Sequence, residues 1–188
     1  MTTIPDHWHF EGGWLGGVRH VASANCNPRP AETCPELIVV HGISLPPGQF
    51  GSDDIEALFT NKLDPTAHPY FAEVAHLEVS AHFLIRRTGE VVQFVSTDER
   101  AWHAGVSSWC GREHCNDFSI GIELEGTDDA PYEDPQYKAL AALISVLRNH
   151  YPSIRSDAIV GHSDIAPGRK TDPGPAFDWQ RVRQAQLS

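Results

Sequence analysis

The chain has 188 residues, 40% of them hydrophobic, enough to build one substantial core without disulfide or metal staples. Asp and Glu outnumber Lys and Arg by 25 to 14, so the formal net charge is −11; this argues against a broad electrostatic grip on nucleic acid and requires local positive charge wherever an anionic ligand binds. No apolar run approaches the roughly 20 residues needed to span a bilayer, which argues against a membrane partner.

The first eighteen residues, MTTIPDHWHFEGGWLGGV, are interrupted by Pro5, Asp6, His7, His9 and Glu11. They offer neither the basic start nor the apolar stretch of a signal peptide, so export by that route is not expected and the cytoplasm is the expected location. Residues 1–15 are expected to form a loosely ordered N-terminal segment. The run ELIVVH at 36–41 is short, apolar and β-branched, as suits a buried strand with His41 emerging at its end. Ser52 to Asp54 offer helix caps, and Ile55, Leu58 and Phe59 continue a helical spacing towards Leu63.

Ser80 to Arg86 and Glu90 to Val95 read as two antiparallel strands joined through Thr88 and Gly89. In SIGIELE, 119–125, period-two alternation puts Ile120, Ile122 and Leu124 on one face and Gly121, Glu123 and Glu125 on the other. A helix follows Asp134, where Tyr137, Leu140, Ile144, Leu147 and Tyr151 recur every three or four residues until Pro152. Beyond Gly161, the prolines and glycines of HSDIAPGRKTDPGPAFDW predict a loop crowded with polar groups. Strands interleaved with helices, with no linker or repeat, predict a single α/β domain over 1–188: a mixed central sheet flanked by helices. Cys26, Cys34, Cys110 and Cys115 read as mostly free thiols.

Eleven histidines are many for this length, and position has to choose among them. VVH at 39–41 and IVGH at 159–162 each put a histidine at the end of an apolar strand, a rigid base for a metal ligand, and Asp172 follows His162 by ten residues. Two imidazoles and one carboxylate leave a fourth tetrahedral position open, as in catalytic zinc sites. The pattern by itself fits two satisfied core histidines better than it fits a metal site.

Six blocks in order carry a further signal: VVHGISLPPGQFG (39–51), HPYF (68–71), SAHFLIRRTGE (80–90), AWHAGVS (101–107), CNDFSIGIELEGTD (115–128) and GHSDIAPGRKTDPGPAFDW (161–179). Together they resemble the AmpD-type 1,6-anhydro-N-acetylmuramyl-L-alanine amidases, zinc enzymes distantly similar to phage lysozyme amidases and peptidoglycan recognition proteins. The resemblance implies that fold and a zinc ion held by His41, His162 and Asp172. It also implies Glu123 as general acid and base, Lys170 as the cation facing the oxyanion, and Tyr70 and His103 on the wall of the substrate cleft. The implied reaction is hydrolysis of the lactyl amide between anhydro-N-acetylmuramic acid and L-alanine in small soluble muropeptides during cell-wall recycling.

Two other functions share most of these features: an exported amidase acting on intact peptidoglycan, and a peptidoglycan-binding module without hydrolysis, which loss of a zinc ligand would mark. The strand alternation cannot rank Glu123 against Glu125, and Arg86 and Arg87 suit either a peptide carboxylate or an exposed hairpin edge. Gly42, after the first zinc histidine, and His114, before Cys115, depart from the family pattern in a way that bears on stem-peptide recognition.

Overall fold

The computed structural model describes residues 3–186. Its centre is a six-stranded sheet built from β1 (Arg19–His20), β2 (Leu37–Ile43), β3 (Phe83–Ile85), β4 (Val91–Gln93), β5 (Ser119–Glu125) and β6 (Ile159–Gly161), in the order β6-β2-β5-β3-β4-β1. The β6, β2, β5 and β3 strands run parallel, β3 and β4 pair antiparallel as the hairpin spacing predicts, and β1 joins β4 in parallel. Among the described residues five helices surround it: α1 (Asp54–Phe59), α2 (Pro69–Val74), α3 (Asp134–His150), α4 (His162–Ile165) and α5 (Trp179–Gln186). The expected α/β class and mixed sheet are thus observed. No helix among the described residues is long and apolar enough to cross a membrane.

Side-chain alternation divides the sheet's two faces between packing and chemistry. Ile38 and Val40 of β2 and Ile120, Ile122 and Leu124 of β5 pack with Leu140, Leu143, Ile144 and Leu147 of α3. Each fully buried aliphatic side chain of this kind stabilises the fold by about 1.5–3 kcal/mol. The α3 helix begins with a capping box between Glu133 and Gln136, and the Gln136 amide donates to the carbonyls of Ile85 and Glu125, tying the helix start to the ends of β3 and β5. On the other face, Leu84, Val92 and Phe94 pack with Ile55, Leu58, Phe59 and Phe71 from α1 and α2. In the N-terminal segment, Phe10–Glu11 pairs with Trp14–Leu15, and Leu15 is fully buried. All four cysteines are free.

Several boundaries differ from the sequence expectation: the hairpin strands expected over 80–86 and 90–95 shorten to Phe83–Ile85 and Val91–Gln93, and the loop expected after Gly161 opens with the short helix α4. The strand carrying His41 continues through Gly42 to Ile43, because the ladder to β5 runs on to Glu125. Helix α1 stops at Phe59 rather than near Leu63. Asn61 there has φ of 58°, and the Lys62 and Asn61 amides donate to the carbonyls of Ala57 and Leu58, a left-handed helix stop.

His82, fully buried on the strand side of the β3–β4 hairpin, holds two segments together. Its Nδ1 accepts the Gly121 amide at 3.0 Å and its Nε2–H donates to the Glu99 carbonyl at 3.0 Å. Burial, with the Arg29 guanidinium adding to it, pushes this imidazole down to about 3. The unfolded chain therefore takes up a proton below about pH 6.5 that the folded chain refuses, so stability is intact above that value and falls as pH drops towards 3. Between pH 7 and 5 this removes about 2 kcal/mol. The expected result is that urea midpoints fall less steeply over that interval in His82→Asn, whose carbonyl can still accept from Gly121; equal slopes would refute it.

Candidate functional site

The parallel strands β2 and β5 stand side by side with His41 opposite Glu123, and β6 ends at Gly161, opposite Val40, so that His162 opens α4 beside His41. The groups gather at the carboxyl ends of parallel strands, where open α/β sheets form their crevices. Asp172 comes in from the long loop after α4, whose backbone is held by the Ser163 amide donating to the Asp172 carbonyl.

His41 Nδ1 lies 2.9 Å from His162 Nδ1 and 3.3 Å from Asp172 Oδ2, and His162 Nδ1 lies 3.1 Å from the same oxygen. In a tetrahedron with bonds of about 2.0–2.1 Å, neighbouring ligand atoms sit roughly 3.3 Å apart. The triangle of two ring nitrogens and one carboxylate oxygen therefore fits a small cation, and these three residues are the metal-type cluster found among the described residues. Burial, against the opposing pull of Asp172, pushes His41 down to about 4, leaving a neutral ring with a free lone pair at neutral pH. Burial works against ionisation of Asp172, but hydrogen bonds from His162 and His41 outweigh it and hold the carboxyl below its ordinary range. Neutral imidazoles and an ionised carboxylate are the protonation states that bind metal.

Glu123 and Glu125 share a face but not an environment. Glu125 Oε1 accepts the Gly51 amide and Oε2 the Arg87 amide, so both oxygens are committed to loop backbone. Glu123 Oε1 lies 4.0 Å from His41 Nδ1, and its buried Oε2 has no hydrogen-bond partner among the described residues. Burial, reinforced by the Asp172 charge and opposed by Lys170, raises this carboxyl well above its ordinary value.

These groups open into a cavity of about 430 Å³ whose walls include Lys170, Tyr70 and His103. The sequence-predicted residues His41, His162, Asp172, Glu123, Lys170, Tyr70 and His103 are therefore all brought to one place. Trp102, Thr127 and Asp128 also line the cavity; sequence reading quoted their blocks but singled out none of them. Arg86 and Arg87 are engaged elsewhere, Arg86 buried against Glu56 and Asp53 and Arg87 paired with Glu133. Gly42 lines the cavity, and a larger residue would be excluded there because a Cβ would lie 2.3 Å from the Tyr132 hydroxyl, which donates to the Pro173 carbonyl beside Asp172. His114 is exposed, with φ of 60°, at the entry to the short turn 115–117. A larger cavity, about 740 Å³, opens between β6 and α5, walled by Trp109, Trp179 and Val182. Asp164 in that wall is spent on capping the Gly161 amide, and none of the metal-type residues lies there, so the smaller cavity is the better candidate for chemistry.

A family model described as N-acetylmuramoyl-L-alanine amidase matches residues 30–175. Among characterised proteins, the chain is 64% identical over 172 residues to 1,6-anhydro-N-acetylmuramyl-L-alanine amidase AmpD of Enterobacter cloacae, covering 92% of this chain and 91% of that one. A crystal structure of a Se-Met AmpD derivative is similar, with a TM-score of 0.92 and 59% identity over 94% of this chain and 98% of the other. The Escherichia coli amidase AmiD, solved with anhydro-N-acetylmuramic acid-L-Ala-D-γ-Glu-L-Lys as substrate, is similar at a TM-score of 0.63 and 29% identity, over 97% of this chain and 66% of that one.

Proposed function

Because the chain belongs to the N-acetylmuramoyl-L-alanine amidase family, we propose that it is a zinc-dependent cytoplasmic enzyme of cell-wall recycling. It hydrolyses the lactyl amide between anhydro-N-acetylmuramic acid and L-alanine in small soluble muropeptides. The activity named for the Enterobacter cloacae relative supports the substrate, and the ligand in the AmiD structure supports the muropeptide class. The observation that carries the reading is the triangle of His41, His162 and Asp172 with Glu123, whose Oε2 has no partner among the described residues, at its edge.

His41, His162 and Asp172 would hold the zinc ion. When bound, zinc supplies Lewis acidity towards the amide carbonyl and lowers the pKa of water from about 16 towards 7. Glu123, with one oxygen free of partners, accepts the proton of the attacking water and returns it to the departing alanine nitrogen, without which an amide has no adequate leaving group. Burial raises its affinity for a proton above that of a free carboxylate, in the direction the accepting step needs. Lys170 supplies positive charge where the tetrahedral adduct gathers negative charge. In a chain of net charge −11, the same lysine gives an anionic peptide a local reason to enter the cleft. Tyr70 and His103 stand on the wall of the cleft that receives the substrate.

The test is mass spectrometry of products from an anhydro-muramyl tripeptide, with and without zinc, run beside intact wall. The expected products are the free tripeptide and the anhydro sugar, formed only with metal. Faster release from intact wall would transfer the activity to an exported type of amidase, and binding without cleavage would leave a recognition module.

A further inference from the structure

Since His41 and His162 both aim Nδ1 at the Asp172 carboxylate, each ring has its Nε2 left to interact with the protein. Both leftover nitrogens meet the same dipeptide. His41 Nε2 lies 2.9 Å from His103 Nδ1, and His162 Nε2 lies 3.2 Å from the Ala104 carbonyl oxygen. An imidazole whose Nδ1 lone pair faces a cation carries its hydrogen on Nε2, so both rings are donors here. His103 then accepts at Nδ1 and donates from Nε2 to Ser119 Oγ, 3.1 Å away.

The dipeptide is itself fixed from behind by one side chain. Asn116 is buried in the short turn 115–117, and its Oδ1 accepts the amide hydrogens of both His103, at 3.2 Å, and Ala104, at 2.8 Å. Arg169 closes the outer side by donating to the Ala104 carbonyl at 2.7 Å and to the Val106 carbonyl. The His103 ring lies against Gly121 of β5, where a Cβ would come within 2.4 Å of its Cγ, so β5 leaves room for that ring.

We propose that Asn116 is a positioning residue: by pinning His103–Ala104 it sets the tautomer and orientation of both zinc-binding imidazoles at once. The proposal rests on the metal reading given above. Removing an outer partner of a metal ligand commonly costs 10- to 100-fold in metal affinity, and one deletion here loosens two ligands.

The experiment is zinc affinity of the full chain, measured by chelator competition on apo-protein shown to be folded by circular dichroism. Asn116→Ala is expected to bind zinc about 100-fold more weakly, whereas Asn116→Asp, which keeps an acceptor oxygen facing the two amides, stays within roughly tenfold of wild type. Nitrogen-15 spectra of the imidazoles are expected to show Nε2–H tautomers for His41 and His162 in wild type and a tautomer mixture in Asn116→Ala. Should Asn116→Ala not fold, His103→Phe decides, since it keeps the ring volume, removes the acceptor for His41 and is expected to weaken zinc about tenfold. Wild-type affinity in folded Asn116→Ala, or in His103→Phe, overturns the proposal while leaving the metal reading intact. A wild-type protein that binds no zinc overturns the metal reading and this proposal with it.

Discussion

In Asp172→Ala, bound zinc and hydrolysis disappear together, and so does the stabilisation that added zinc gives the wild-type protein. Asp172 Oδ2 is the atom that both His41 Nδ1 and His162 Nδ1 approach, and without it two imidazole nitrogens face a gap with no carboxylate to complete the triangle. In the wild type, a ligand at a thousandfold excess over its Kd stabilises the native state by about 4 kcal/mol. For a chain of this length that amounts to roughly 10 °C in Tm, which a chelator should remove. The variant should melt at one temperature with or without chelator, and metal analysis should find it empty. His162→Ala should behave in the same way. Stoichiometric zinc retained in either variant would mean that the triangle is not the metal site.

Glu123→Gln separates metal binding from proton transfer. Zinc content should stay at the wild-type level, because Glu123 lies at the edge of the triangle, while turnover should fall by about 10²- to 10⁴-fold, the usual worth of a positioned general base. Glu125→Gln is the control that strand alternation alone could not interpret. Both Glu125 oxygens receive backbone amides, so its loss should lower the unfolding free energy measured by urea titration, by about 1.5–3 kcal/mol per charged hydrogen bond, rather than abolish turnover per folded molecule. Wild-type turnover in Glu123→Gln would require another group to carry the proton.

The parts of this molecule written in local pattern could be read from the chain. Strand β2 announces itself as a short continuous β-branched run, and β5 and α3 because their apolar residues recur at periods of two and of three to four. His41 and His162 stood out because each follows an apolar strand. What stayed hidden depends on contacts distant in sequence. Helix α2 has six residues with Phe71 alone buried, and α5 is largely polar with Val182 buried, so neither carries a usable stripe; the cap at Asp178, accepting the amides of Gln180 and Arg181, was the remaining clue to α5. Strand β1 is two exposed residues, defined only by its pairing with β4. The end of α1 turned on a single left-handed backbone position, Asn61. The ranking of Glu123 over Glu125 needed the loops bearing Gly51 and Arg87 to be in place, and Asn116 shows its role only through the backbone amides of residues more than ten positions earlier.

Along β2 and β5, neighbouring residues answer to different demands: Val40 and Ile122 meet α3, while His41 and Glu123 meet the cavity. Inserting one residue early in either strand would exchange these roles, driving a carboxylate or imidazole beneath the helix and an isoleucine or valine into the cleft. Homologues of this chain can therefore change length only in connections outside these strands, and 163–178, which carries Lys170 and Asp172 into the cavity, is not one of them; the spans 37–43 and 119–125 keep a fixed residue count.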